Sequence, residues 1–335
     1  MTDSNFFTLP NAPAIPGLAF RYWRDESDYA VMADLTNQVF QADQIGAAVT
    51  LSDMAHWFAP ASDFDPKQEI YFVEVNENIA GYGTFRTRQE TSGMWTCTPI
   101  GRVLPAWRRK GLGRAMLRYN EHRLRTIAST HPADGPRAFM VWASNTNLSA
   151  ITLYIQEGYV PVRHAFVMVR DKLDDIPTAS LPEGIQIRAV TPEHYRQIWE
   201  AECEALQEHW GITQPTEEGY HHWLNDPVFD PTLWRVAWEG NQVVAQVRSF
   251  ILPEENKTYN RLRGYTENIS VRKPWRKRGI ARALISASLE ALKERGMTQA
   301  ALRVDTQNAD GALNLYESCG YRVERKQTEY RKPLE

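Results

Sequence analysis

Two apolar, β-rich runs, Ile70-Tyr-Phe-Val-Glu-Val75 and Ile79-Ala-Gly-Tyr-Gly-Thr-Phe85, flank the polar turn Asn76-Glu-Asn78. The pattern predicts a β-hairpin. Upstream, a strand start is expected at residues 18–23, and Tyr29, Met32, Leu35 and Val39 recur at helical spacing across residues 28–40. Downstream, a strand ends at Arg102-Val103, a helix runs from about Gly111 to Ala128, and a strand covers Ala138–Trp142. A helix near Ser149–Glu157 and closing strands over Tyr159–Val169 complete this half. The order then returns: a strand at Ile185–Arg188, a helix over Glu193–His209, a hairpin over Leu233–Val247 around Gly240-Asn241, and a strand over Tyr265–Val271. A helix over Ile280–Arg295 ends at Gly296, and a strand covers Ala300–Val304. The helix keeps Ile280, Leu284, Ala287, Ala291 and Leu292 on one face.

The return is literal in places. Val103-Leu-Pro-Ala-Trp-Arg-Arg-Lys-Gly-Leu-Gly-Arg-Ala-Met-Leu117 reappears 168 positions later as Val271-Arg-Lys-Pro-Trp-Arg-Lys-Arg-Gly-Ile-Ala-Arg-Ala-Leu-Ile285. Ala150-Ile-Thr-Leu-Tyr154 with Gly158-Tyr159 reappears 162 positions later as Ala312-Leu-Asn-Leu-Tyr316 with Gly320-Tyr321. Two motifs repeated in one order indicate a duplicated domain. Each copy spans roughly 150 residues, enough for its own core. Alternating strands and helices give a mixed α+β plan. The expected divisions are a Pro-containing leader at 1–17, a first domain at 18–173, a polar linker at 174–184 broken by Pro177, Pro182 and Gly184, and a second domain at 185–335.

Composition narrows the function classes. The 335 residues are 43% hydrophobic and 24% charged, with net charge −3. No global field therefore favours nucleic acid or an acidic membrane. Cys97, Cys203 and Cys319 show neither metal-ligand nor CxxC spacing, and no metal is expected. Their plainest role is as small apolar residues in a reducing cytosol. No basic and apolar leader of a signal peptide opens the chain, and no apolar run nears the ~20 residues of a membrane span. A cytoplasmic protein without membrane or nucleic-acid partners is expected.

The first repeated motif carries the chemistry. It is an apolar strand, a basic turn, two small residues and an amphipathic helix. In the second copy Arg272, Lys273, Arg276, Lys277, Arg278 and Arg282 crowd into eleven positions of a net-acidic chain. Gly279 and Ala281 leave the backbone approachable. The helix that follows has unpartnered first-turn N–H groups and the positive end of its dipole, a site suited to a pyrophosphate. The first copy carries Arg102, Arg108, Arg109, Lys110 and Arg114. A single basic turn could be no more than a solvated loop; two in one register are not readily so explained. The P-loop and dinucleotide glycine patterns are absent.

Arg-x-x-Gly-x-Gly/Ala after a strand ending in Val, followed by Asn…Ala-x-x-x-Tyr-x-x-x-Gly-Tyr, resembles the acyl-CoA signature of the GNAT superfamily of N-acetyltransferases, in its double-domain form. The resemblance covers nearly the whole chain apart from leader and linker. It implies two domains, each a mixed, mostly antiparallel sheet flanked by helices, with acetyl-CoA as co-substrate. It implies that main-chain groups of Ile269 and Val271 pair with the pantetheine arm. Arg276, Lys277, Arg278, Gly279, Ile280, Ala281 and Arg282 would cradle the pyrophosphate. Asn308 would contact the pantetheine, and Tyr316 would lie near the thioester sulfur. The matching first-copy positions are Val103, Arg108, Arg109, Gly111, Gly113, Arg114, Asn147 and Tyr154. Asn147 precedes Ala150 by three, whereas Asn308 precedes Ala312 by four. Asn308 or Asp310 could equally cap the helix beginning near Gly311, and Tyr316 could be a core aromatic.

Amine acetylation needs a base for the amine and an acid for the departing thiolate. Glu267 lies four residues before Val271, where the first copy has Pro99, which cannot act as a base. Glu267 and Tyr316 are thus the expected catalytic pair, and the second half the expected catalytic one. Glu200, Glu202, Glu204 and Glu208 form either a solvated helix face or a wall that attracts a cationic amine. The expected activity is acetyl transfer to a primary amine of a small molecule or peptide, by a monomer or homodimer. The competing reading is an acyl-CoA-binding regulatory or scaffold protein without turnover.

Overall fold

The computed structural model describes residues 5–132, 134–307 and 311–335. In chain order the elements are β1 (Phe6–Phe7), β2 (Leu18–Tyr22), α1 (Ser27–Ala42), α2 (Leu51–Trp57), α3 (Pro66–Glu69), β3 (Tyr71–Val75), β4 (Asn78–Gln89), β5 (Trp95–Val103), α4 (Leu112–Ala128), β6 (Arg137–Ser144), α5 (Leu148–Gln156) and β7 (Val160–Arg170). They continue with β8 (Ile185–Arg188), α6 (Tyr195–Leu206), α7 (Glu217–Leu224), β9 (Trp234–Glu239), β10 (Gln242–Ile251), α8 (Pro253–Thr258), β11 (Arg263–Val271), α9 (Ile280–Glu294), β12 (Gln299–Asp305), α10 (Ala312–Ser318) and β13 (Arg322–Pro333).

The chain forms two compact units. The first runs to Val162 and is completed by Thr328–Glu335; the second is Arg163–Gln327. In the first, the strands lie in the order β1-β2-β3-β4-β5-β6, closed by the end of β13. Neighbours from β1 to β5 are antiparallel, and β5 and β6 run parallel. The period-two pattern of β3 explains why both faces are covered. Phe72 points into a core with Tyr29, Met32 and Leu35 of α1. Tyr71, Val73 and Val75 point into another with Leu112, Ala115 and Met116 of α4. The second unit repeats this as β7-β12-β11-β10-β9-β8, with β11 and β12 parallel. Ile280, Leu284, Leu289 and Leu292 of α9 pack with Val244, Val247, Ala300 and Leu302. On the opposite face Ile198 and Ala201 of α6 pack with Trp223, Trp234, Val236 and Trp238.

The units do not divide within residues 174–184. β7 pairs with β12 from Ala165↔Asp305 to Arg170↔Ala300, so the closing strand of the first sequence half belongs to the second unit. The last strand of the chain completes the first unit: Tyr330 joins the core of Tyr159 and Phe139, and Lys332 binds Glu121 at 2.9 Å. The closing sequences Val169–Leu173 and Tyr330–Leu334 are alike. Segment 174–184 also has a structural role. Its Ile176 and Leu181 pack against the second unit's core. It repeats the leader 167 positions on, with Leu9-Pro10 answered by Ile176-Pro177, and Gly17 (φ 74°) by Gly184 (φ 81°).

Candidate active site

The strand that carries Glu267 is irregular where it matters. Ala245 faces Val271 and Gln246 faces Ser270, but Arg248 faces Glu267. Two residues of β11, Asn268 and Ile269, therefore oppose one of β10, and Asn268 adopts φ 52°. This is a β-bulge, which bends a strand and re-aims its side chains. On its other edge, β11 pairs with β12 only from Arg263↔Gln299 to Tyr265↔Ala301. Beyond Tyr265 the β12-facing edge of β11, including Ile269 and Val271, carries no ladder pair among the described residues. That edge offers main-chain groups to an extended ligand lying alongside it.

Glu267 reaches across this opening. Its Oε1 accepts the backbone N–H of Arg303 on β12 at 2.7 Å. The side chain is half-buried, and the loss of solvation pushes its carboxyl up to about 7 against the opposing pull of the Arg303 amide and charge. Tyr316 of α10 is 7% exposed and sits in the core with Ile280, Leu284 and Cys319, edge-on to Tyr321 at 6.4 Å. Burial, then the charge of Glu267, then Cys319, raise its phenol above the ordinary value. It is thus both a core aromatic and a protonated hydroxyl in the field of Glu267. The hydroxyl of Tyr321 meets that of Thr266 at 2.6 Å, tying β11 to the chain just after α10.

The basic turn has the same backbone in both units. A short 3₁₀ turn covers Pro105–Trp107 and Lys273–Trp275. Arg109 and Lys277 both have φ 61°, followed by Gly111 at 89° and Gly279 at 82°. The two glycines precede α4 and α9, and neither helix start has a side-chain cap. Arg108 and Arg276 each donate to the carbonyl of the strand's final valine, at 3.2 and 3.1 Å.

The surroundings differ. In the second unit a Cβ on Gly279 would meet nothing within 4 Å. Arg276 also donates to the Ala205 carbonyl at 2.9 Å, and Arg278 lies 3.7 Å from Glu239. Lys277 and Arg282 form no ion pair among the described residues. Ile280 is buried at 1%, so only its backbone can serve a ligand, and Ala281 follows in the first turn of α9. Asn308 lies outside the described residues. In the first unit Arg108 is held by Asp43 at 2.5 and 3.0 Å. Asn147 caps α5 through the Ala150 amide and donates to the same Asp43 at 2.9 Å. Arg114 pairs with Glu157 at 2.8 Å, and a Cβ on Gly113 would lie 3.6 Å from Leu153 Cδ2. Tyr154 packs beside Tyr159 and Tyr330.

The register also refines the counterpart of Glu267. Gly81 faces Val103 as Ala245 faces Val271, and β4 then pairs with β5 without a bulge. Three residues on, Thr84 faces Ile100 where Arg248 faces Glu267. Pairing makes Ile100 the counterpart, whereas the fixed sequence shift gives Pro99; neither is a carboxylate. The acidic helix face is largely compensated. Glu202 binds Arg248 at 2.5 Å, Glu204 binds Arg272 at 2.8 Å, and Glu208 binds Lys273 at 3.0 Å. Three of those four carboxylates thus hold the basic turn and β10 in place. The bulge, the Arg303 amide and the Glu202–Arg248 pair had no counterpart in the sequence reading. An asparagine within a strand was the one local signal of the bulge.

Comparison with known proteins agrees with this architecture. The acetyltransferase (GNAT) family matches residues 195–321, and the acetyltransferase (GNAT) domain matches residues 66–161. The mycothiol acetyltransferase of Geodermatophilus obscurus is 28% identical over 222 residues, 65% of this chain and 68% of that protein. That of Thermobispora bispora is 26% identical over 246 residues, 73% of this chain and 77% of that protein. Among solved structures, a GCN5-related N-acetyltransferase from Sphaerobacter thermophilus superposes with TM-score 0.73 at 26% identity, over 98% of this chain and 97% of that one. A tandem GNAT protein from the clavulanic acid biosynthesis pathway shares the fold, with TM-score 0.66 at 15% identity over 95% and 99% of the two chains.

Proposed function

The chain belongs to the GNAT acetyltransferase family as a tandem of two domains, and from that premise we propose that its second unit transfers an acetyl group from acetyl-CoA to a primary amine of a small molecule or peptide. The observation that carries this reading is Glu267, a carboxylate on the bulged strand with its carboxyl pushed up to about 7, held by the Arg303 amide at the gap between β11 and β12. The first unit has no bulge there, and Ile100 in that place.

The donor supplies an acetyl thioester. Main-chain groups of Ile269 and Val271 hold its pantetheine arm as an added strand. The open turn at Gly279, with Lys277, Arg278 and Arg282, receives its pyrophosphate. Glu267 accepts a proton from the acceptor's ammonium group, leaving a neutral amine to attack the thioester carbonyl. A group with a pKa near 7 suits that task at neutral pH. As the C–S bond breaks, Tyr316 donates its phenolic proton to the departing sulfur. The nitrogen, once bonded to the acyl carbon, gives up its surplus proton to solvent, as Glu267 does, and Tyr316 regains one from solvent; the products are an amide and coenzyme A. The compensated carboxylates of α6 argue against a polycationic acceptor drawn by an acidic wall.

Release of coenzyme A measured against a panel of monoamines, amino sugars and peptide N-termini tests the proposal. Release with at least one amine, strongly reduced in Glu267→Gln, is expected. Coenzyme A binding without release for any amine would favour the scaffold reading.

A further inference from the structure

The two faces of the second unit's sheet have different neighbours. Leu302 and Val304 of β12 point into the core shared with α9, so Arg303 and Asp305 point to the opposite face. Glu267 shares that face, because it lies across the ladder from Arg248, whose side chain meets Glu202 of α6 at 2.5 Å. With α9 and the basic turn that precedes it on the other face, the face of Glu267 is left to the acceptor.

The chain leaving α6 runs from the β11 side of the gap to the β12 side. On the β11 side the Ala205 carbonyl accepts from Arg276 at 2.9 Å, and Glu208 binds Lys273 at 3.0 Å. Two residues later Trp210 has reached Arg163, whose guanidinium carbon lies 4.7 Å from the centre of a tryptophan ring. Arg163 is itself fixed: its Nε donates to Asp305 Oδ2 at 2.6 Å and its Nη1 to Gln307 at 3.3 Å. Asp305 follows Arg303 by two residues, which places their side chains roughly 7 Å apart along one face of β12. Arg303 is the residue whose amide holds Glu267.

Trp210 thus stands by the opening that Glu267 faces, with Arg163 on its ring and 42% of the residue exposed. A single exposed apolar side chain needs no special explanation; this one is braced by an ion pair next to the reactive carboxylate. The brace belongs to the second unit alone. Cys97↔Phe139 matches Tyr265↔Ala301, which makes Ala143 the counterpart of Asp305, and alanine cannot hold an arginine. Ile45 precedes Gly46 (φ 66°) as Trp210 precedes Gly211 (φ 73°). Arg163 is matched by Asp305 and Lys273 by Glu208, so this wall presents an apolar ring more than a charge.

We infer that Trp210 positions the acceptor and sets its specificity, and that the acceptor is an amine borne on a ring, sugar or aromatic, whose flat face lies on the indole. This rests on the reading that the second unit acetylates an amine. An indole gives a large, rigid contact area with two torsions to fix. Arg163 and Asp305 act through Trp210, as positioning residues.

Calorimetric titration of glucosamine, phenethylamine and n-hexylamine into the full chain saturated with coenzyme A tests it, alongside coenzyme A release from acetyl-CoA with the same amines. One of the two ring amines should bind about 10-fold or more tighter than n-hexylamine, and which one does so tells a sugar ring from an aromatic one. Trp210→Ala should weaken that amine about 10–100-fold and erase the preference. Trp210→Phe should keep most of it, and Asp305→Ala should weaken it less than Trp210→Ala does. The coenzyme A affinity of each variant reports that the second unit is folded. No preference for either ring amine, or a preference that survives Trp210→Ala, would overturn the inference; coenzyme A release in that case leaves the proposed function standing. Ring-amine binding that depends on Trp210, with no release for any amine, would instead overturn the proposed function and leave Trp210 as a binding residue.

Discussion

Arg303 donates its backbone N–H to Glu267 at 2.7 Å, across the gap where β11 and β12 cease to pair. That bond occupies Oε1, one of the two carboxylate oxygens of Glu267. Its surroundings set its proton affinity, and that yields the first prediction.

With its carboxyl at about 7, Glu267 is largely protonated below neutrality and cannot accept a proton. Turnover should therefore rise with pH through about 7 and level off above it. Glu267→Gln should remove this limb and lower kcat about 10²–10⁴-fold at neutral pH. A pH–rate profile of both proteins checks this.

Arg282 lies in the first turn of α9, with no ion pair among the described residues. Its replacement by glutamate should weaken binding of the acetyl donor by about 10–100-fold, the scale of one charge-assisted hydrogen bond. Thermal stability should change little, because no internal partner is lost. Donor KM and Tm, measured together, separate the two effects.

Asp28 is fully buried, accepting from Arg21 at 2.8 and 2.9 Å and from the Arg24 amide and side chain. Burial acts to raise its carboxyl, but the guanidinium groups of Arg21 and Arg24 more than offset this and hold it below the usual range. A depressed carboxylate stabilises the fold above its unfolded pKa and loses that contribution as pH falls through the folded value. Asp28→Ala leaves Arg21 buried and half-paired, and should cost about 3–5 kcal/mol. Denaturant unfolding at pH 7 should show that loss, and the difference between the two proteins should shrink on acidification below about 4.

Much of this was legible in the chain. The strand–turn–helix repeats at 103–117 and 271–285 wrote out both cradles, because backbone conformation there depends on local residues: glycines at positive φ and a helix start. The hairpins were equally local. Glu267 could be picked out by comparing copies, but the bulge at Asn268 depends on pairing with β10, which no local pattern encodes. Helices α2, α7 and α8 are short, and tertiary packing sustains them more than periodicity does. The exchange of β7 and β13 was hidden because the two closing sequences are alike. Asp43, Arg108 and Asn147 meet across 65 and 104 positions, so their hydrogen-bonded cluster emerges only on folding. The leader's repeat at 174–184 was obscured because only Pro10/Pro177, Gly17/Gly184 and a few apolar positions persist.

The central claim is that turnover belongs to the second unit, with Tyr316 as proton donor. Steady-state kcat of Tyr316→Phe and Tyr154→Phe tests it most directly. Removing a donor that acts as thiolate charge develops lowers kcat more than it weakens donor binding. Tyr316→Phe should fall about 10²–10⁴-fold, and Tyr154→Phe, packed between Tyr159 and Tyr330 with no carboxylate partner on β5, should do much less. Loss of turnover in Tyr154→Phe with Tyr316→Phe intact would contradict the account and place the chemistry in the first unit.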